Sequence, residues 1–253
     1  MIFWDQIVFV ALTLMLAIPS ALYITRVFHG RPTLLDPLLR PLERALYRIA
    51  GVRPDQGMSA QVYFACFCLL GVLSTLLLFA LLMAQRFLPG PPGDAFLTTP
   101  MTADLAANAA ISFATTSTWQ AYAGESTLRY AIQVLGLVSQ NFIAGAAGLA
   151  MGVAFMRGFA AERSDDLGNF WVDTVRAVLW LLLPFSIAGG LFLVWQGVPQ
   201  NFAPYVRAAT LEGGLQTIAQ GPLRRWNSSR IWAPTAAGFS TPTAPIPMKT
   251  PPL

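Results

Sequence analysis

Fifteen residues, Ser112 to Ser126 (SFATTSTWQAYAGES), carry the chain's most distinctive chemistry. Hydroxyls recur at Ser112, Thr115, Thr116, Ser117 and Thr118, followed by Trp119, Gln120 and Tyr122, with no charge before Glu125. The segment is polar, uncharged and flanked by apolar sequence, which predicts backbone that enters a membrane and turns back. Non-helical backbone at that depth survives only where protein buries it or where it lines a watery path. Rings of backbone carbonyls on such segments are how potassium channels strip and select ions.

The elements that must position this segment are membrane helices. The chain is 55% hydrophobic and 11% charged, far below the ~25% charged residues of a soluble domain. Apolar runs near the ~20 residues needed to span a bilayer lie at about 6–25, 60–85, 131–156 and 175–196. The expected fold class is an all-α polytopic membrane protein: four transmembrane helices with one re-entrant pore helix and its filter loop. Arg26, Arg31, Arg40, Arg44, Arg48 and Arg53 crowd the loop after the first run, and Arg157, Arg163 and Arg176 follow the third. The positive-inside rule places both loops in the cytoplasm and both ends of the spanning region outside.

Between the second and third runs, the Gly/Pro-rich link LPGPPGD (88–94) leads to a helix expected from Ala103 to Ala114. Thr102 is expected to cap it, with Asp104 in its first turn, where the helix dipole favours an acid. Twelve residues cover ~18 Å, too short for the ~30 Å core. Such a helix enters halfway and points its negative end at the membrane centre, and Thr115 to Thr118 then follow as a return strand. A folded external loop with a surface helix is the alternative. No Asp, Glu, Lys or Arg falls mid-span, which argues against a proton relay but not against a carbonyl-lined filter. Cys66 and Cys68 read as small buried apolar groups, since C-x-C without further ligands is no metal site. Gly145, Gly148 and Gly152 read as helix-packing positions, the last two in G-x-x-x-G spacing.

The stretch NAAISFATTSTWQAYAGESTLRYAIQVLGLVSQNF (108–142), then FMRGFA (155–160), LGNFWVD (167–173) and QGVPQNF (196–202), resembles the potassium-binding A subunit of the Kdp potassium-transporting ATPase, in order and through Pro222. The resemblance implies four channel-like helix–pore loop–helix repeats around one pseudo-fourfold filter. It also implies a multi-pass place in the bacterial plasma membrane, a bound potassium ion, an ATP-hydrolysing B subunit and small accessory subunits as partners, and no ATP-hydrolysing site in this chain. It assigns the first filter strand to Thr115, Thr116, Ser117 and Thr118, and a filter-adjacent role to Gln120. The family usually reads TNTNWQ where this chain reads TTSTWQ, its asparagines replaced at Thr116 and Ser117–Thr118.

The implied organisation is a leading helix and cytoplasmic loop (1–58), one complete repeat (59–160), the first helix of a second repeat with its outer loop (161–222) and a tail (223–253). The tail has no acidic residue, six prolines and the chain's only lysine, Lys249, a composition that reads as disordered. Codons for Trp232 to Thr250, read one base earlier, can spell LGTNGGGFFNANSAHPYEN, the family's second filter. A one-base slip near codon 223 is therefore expected, leaving a truncated transport subunit that is inactive alone, because one strand cannot close a ring. The alternative is a membrane scaffold or assembly fragment that transports nothing. A membrane-embedded enzyme is disfavoured, since the only histidine, His29, lies in a loop.

Overall fold

The computed structural model describes residues 2–87, 99–160, 166–196, 206–209 and 215–218. The link at 88–94, Arg163 and the tail from 223 on lie outside the described residues. Helix α1 (Ile2–Phe28) and α2 (Asp36–Ala50) come first, then α3 (Ala60–Ala84) with a closing 3₁₀ turn, then α4 (Ala103–Ala114) and the single turn α5 (Gly124–Thr127). Helix α6 (Tyr130–Ile132), a π-helical stretch (Gln133–Val138) and α7 (Ser139–Ala160) are continuous, as are α8 (Phe170–Arg176), a second π stretch (Ala177–Leu182) and α9 (Leu183–Trp195). Four helices are long and apolar enough to cross a membrane: Trp4–Phe28, Ala60–Phe87, Gln133–Ala160 and Phe170–Trp195. At ~1.5 Å per residue each exceeds the ~30 Å hydrocarbon core. The chain is a multi-pass membrane protein.

The structure extends the sequence reading in three places. The fourth span starts at Phe170 rather than 175, because Asn169 caps it: its side-chain oxygen accepts from Trp171 N (3.1 Å) and Val172 N (3.4 Å). The Arg-rich loop contains α2, which no sequence expectation named. A short antiparallel ribbon, β1 (Val206–Ala209) with β2 (Leu215–Ile218), pairs Val206 with Ile218 and Ala209 with Leu215. Hydroxyls inside α1 are satisfied locally: Thr13, Ser20 and Thr25 each donate to the carbonyl four residues back, as apolar surroundings require.

The chain divides into two compact units, residues 1–68 with 146–185 and residues 69–145 with 186–253. The first is tied together by ion pairs at helix ends. Arg157 grips Asp173 with both guanidinium nitrogens (2.6 and 3.0 Å) and also donates to the Leu167 carbonyl at 2.9 Å. The Tyr63 hydroxyl reaches Asp173 at 3.0 Å and the Ala150 carbonyl at 2.9 Å. Asp173 is 1% exposed, so its charge depends on these partners. Arg176 donates to Glu43 at 2.9 Å, and Tyr47 donates to the same carboxylate at 2.7 Å. Burial, then the Glu43 hydrogen bond, raises the Tyr47 hydroxyl above its ordinary range, so it stays a donor.

In the second unit Leu78 and Leu82 of α3 meet Ala106, Ala109, Ala110 and Phe113 of α4, with Leu128, Ile132 and Leu137 closing the cluster. Alanines at 106, 109 and 110 share one helical face with Phe113, so α4 packs closely. Gly136 makes the tightest helix approach here: a Cβ there would stand 3.1 Å from Leu78 Cδ1. Gly148 and Gly152, read from sequence as packing positions, have no described atom within 4 Å of such a Cβ.

Candidate functional site

Helix α4 aims its C-terminus at the hydroxyl-rich segment. At its start, Thr102 is the cap residue, with extended backbone (φ −85°, ψ 163°), but its side chain does not cap the helix. Its hydroxyl instead donates to the Asp104 carboxylate, and the backbone N–H groups of Asp104 and Leu105 add to that hydrogen bond. Together they hold this acid below its usual range. The acid, not the threonine, satisfies the first turn.

At the other end, Thr115 to Thr118 wrap back over the helix rather than leaving as a strand. Thr115 N donates to Ile111 O (2.9 Å), Thr116 N to Phe113 O (3.4 Å) and Thr118 N to Ser112 O (3.0 Å). Side chains join in: Thr115 Oγ1 donates to Ile111 O (2.9 Å), and Ser117 Oγ donates to Ser112 O (3.1 Å). This resembles a Schellman cap, in which the residue after the cap turns left-handed. The expected return strand is corrected accordingly: the terminal carbonyls of α4 recruit these donors, and the turn follows.

The turn has a regular backbone pattern. Thr115 sits at φ −87°, Thr116 at +62° and Thr118 at +51°, while Ser117 is not among the positive-φ residues. At Thr115 and Thr116 a right-handed residue is followed by a left-handed one, a pairing that gathers successive N–H groups on one side of the chain. In a planar trans peptide C=O opposes N–H, so the carbonyls gather on the other side. No donor among the described residues reaches the carbonyl oxygens of Thr115, Thr116, Ser117 or Thr118. The turn thus offers carbonyl oxygens that have no partner among the described residues.

The side chains divide by burial. Thr118 is 3% exposed, whereas Trp119 is 67% exposed. Gln120 donates from Nε2 to Tyr122 Oη at 3.0 Å. All five sequence-selected residues, Thr115, Thr116, Ser117, Thr118 and Gln120, thus fall within one turn and its exit.

Sequence reasoning missed the buried glutamines of the flanking helices. Gln133, 1% exposed, donates to Gly124 O (3.1 Å) and Leu128 O (3.2 Å), fastening the chain that leaves the site. Gln85 donates to Thr127 O at 3.2 Å, and Gln140 to Ser74 Oγ at 3.0 Å. Gln133 opens a π-helical stretch, a rare feature that concentrates at functional sites. The available signal was an amide in an otherwise apolar span at 133 and again, seven residues on, at 140.

Comparison with known proteins follows the same segment. The family described as "KdpA: Potassium-transporting ATPase A subunit" matches residues 7–243. The likeness therefore runs beyond Pro222, where the sequence reading ended it. Similar proteins named "Potassium-transporting ATPase potassium-binding subunit" occur in Methylobacterium nodulans (45% identical over 98% of this chain and 43% of the relative) and in Rhodospirillum centenum (46% over 90% and 39%). Another, in Bradyrhizobium diazoefficiens, is 41% identical over 99% of this chain and 44% of the relative. The chain spans less than half the length of these curated relatives.

Proposed function

Because this chain belongs to the KdpA family of potassium-transporting ATPase A subunits, we propose that Thr115 to Thr118 supply one carbonyl segment of a potassium-binding filter in an ATP-driven uptake complex of the bacterial plasma membrane. The observation that carries this reading is the left-handed backbone at Thr116 and Thr118, with the carbonyls of Thr115–Thr118 unpartnered among the described residues. Neutral oxygens replace the hydration shell of an alkali cation without binding it so tightly that it cannot leave.

Helix α4 acts as a re-entrant pore helix. Its twelve residues cover ~18 Å of a ~30 Å core, and its C-terminal half-charge faces the ion. Gln120, held by Tyr122, flanks the ion path. Residues 59–160 act as one helix–pore loop–helix repeat, and closing the ring takes four such segments. ATP hydrolysis belongs to a partner B subunit, with small accessory subunits completing the assembly; the A-subunit segment selects and passes the ion.

The test uses the full-length subunit containing this segment, co-expressed with its partner subunits. Gln120→Arg places a cation beside the ion path, so apparent potassium affinity in uptake falls well beyond any loss of assembly measured by co-purification. Unchanged affinity removes Gln120 from the site. Affinity that falls only in step with assembly assigns the residue to packing.

A further inference from the structure

Helix α2 presents an outward face made only of apolar and basic groups. Its exposed residues are Pro37, Leu38, Pro41, Leu42, Arg44, Leu46, Arg48, Ile49 and Ala50. Leu38, Leu42, Leu46 and Ile49 form a stripe at helical spacing, with exposures of 75, 45, 36 and 84%. Both acids of the helix turn away from it. Asp36 accepts from Thr33 (2.6 Å) and Trp180 Nε1 (3.3 Å) and pairs with Arg40, while Glu43 is held by Arg176 and Tyr47.

The depth of α2 follows from what its inner face touches. Leu35 and Leu39 pack with Val175, Leu179, Trp180 and Leu183 of the fourth span. Leu179 to Leu183 lie ~13–20 Å along that helix from Phe170. The span's 26 residues make ~39 Å, longer than the ~30 Å core. Phe170 thus stands among headgroups, and the neighbours of α2 stand inside the leaflet. A helix packed at that level turns its outer face to the acyl chains, with basic ends reaching back to phosphate.

We infer that α2 is an interfacial helix whose Leu38–Leu42–Leu46–Ile49 stripe lies in the leaflet on the Arg-rich side of the membrane, with Arg44 and Arg48 bound to anionic lipid phosphate. The absence of any outward acid on this face suits a negative leaflet, which draws basic groups to its surface. The inference rests on the four spans and is independent of the potassium reading.

Spin labels test it on the purified chain with Cys66 and Cys68 replaced by alanine. Single-cysteine variants Leu42→Cys, Ile49→Cys and Arg44→Cys are labelled in nanodiscs of phosphatidylcholine with or without phosphatidylglycerol. At 42 and 49, collisions with oxygen exceed those with a water-soluble nickel chelate several-fold, and at 44 the order reverses. Low collision rates with both reagents at 42 and 49 mean a protein surface covers the stripe, and nickel dominance there means water does; either overturns the inference. Phosphatidylglycerol deepens the labels at 42 and 49, and Arg44→Gln with Arg48→Gln removes that deepening. Depth indifferent to phosphatidylglycerol overturns the anionic-lipid assignment.

Discussion

Thr116 has a left-handed backbone (φ 62°) on a β-branched residue, and its relief is measurable. Left-handed geometry costs an ordinary L-residue about 1–2 kcal/mol, whereas Asn is several-fold enriched there. The Thr116 hydroxyl donates no hydrogen bond among the described residues, and only its backbone N–H, bonded to Phe113 O at 3.4 Å, must be kept. Thr116→Asn should therefore gain about 1 kcal/mol, or roughly 2–4 °C in Tm for a chain of this size. Two controls isolate the cause. Thr116→Val stays β-branched and strained, so it brings no gain. Thr115→Asn, at φ −87°, relieves nothing and loses the Oγ1 bond to Ile111 O (2.9 Å), so it lowers Tm. Thermal unfolding of the purified protein in one detergent, followed by tryptophan fluorescence, ranks the three. If Thr116→Asn gains nothing, or Thr116→Val gains equally, the strain argument fails. The family motif described above places asparagine at this position, consistent with a backbone suited to that residue. Strain of this kind persists where neighbours over-determine it, and here the hydroxyl wrap of α4 does so.

Three further outcomes are expected. Gln133→Leu leaves the Leu128 carbonyl without its amide donor, while Gly124 O keeps the Leu128 N–H at 3.1 Å, costing about 1–3 kcal/mol for the one buried acceptor; faster hydrogen exchange across residues 124–129 would show it, and unchanged protection would refute it. Asp173→Asn strands Arg157 at a site where the acid side chain is 2% exposed, a loss of about 3 kcal/mol, and a double-mutant cycle with Arg157→Gln should return a coupling well above the scatter of additive pairs. With Cys66 and Cys68 removed, Ala45→Cys should resist an impermeant maleimide added outside cells while Tyr205→Cys reacts; outside labelling at 45 inverts the topology.

Relief at Thr116 and loss at Gln133 also separate two kinds of information in this chain. Membrane class, four spans and the place of the short helix followed from composition and run length, because the bilayer imposes one thickness on every crossing. The helix Ala103–Ala114 agrees with its sequence bounds, since Asp104 favours its start and a run of hydroxyls, poor helix formers that bond to nearby backbone, follows its end. The family, too, was legible in the order of its segments.

Tertiary structure decided the rest. Period and propensity state which residues are apolar, not which side of a turn its carbonyls take; that depends on backbone handedness, set at Thr116 and Thr118 by hydrogen bonds back to α4. In the sequence Asp173 is only an acid just ahead of the fourth apolar run; folding brings Arg157, sixteen residues earlier, and Tyr63, 110 residues earlier, to it. Gln133 is an amide near the start of an apolar run until folding brings the carbonyls of Gly124 and Leu128 to it. Helix α2 went unnamed in the sequence because its inward face mixes Leu39, Glu43 and Tyr47, and only Arg176 and Trp180 of the fourth span make that mixture a packing surface. Hydropathy sums over neighbours in sequence. Charge pairing, carbonyl direction and amide satisfaction depend on neighbours in space.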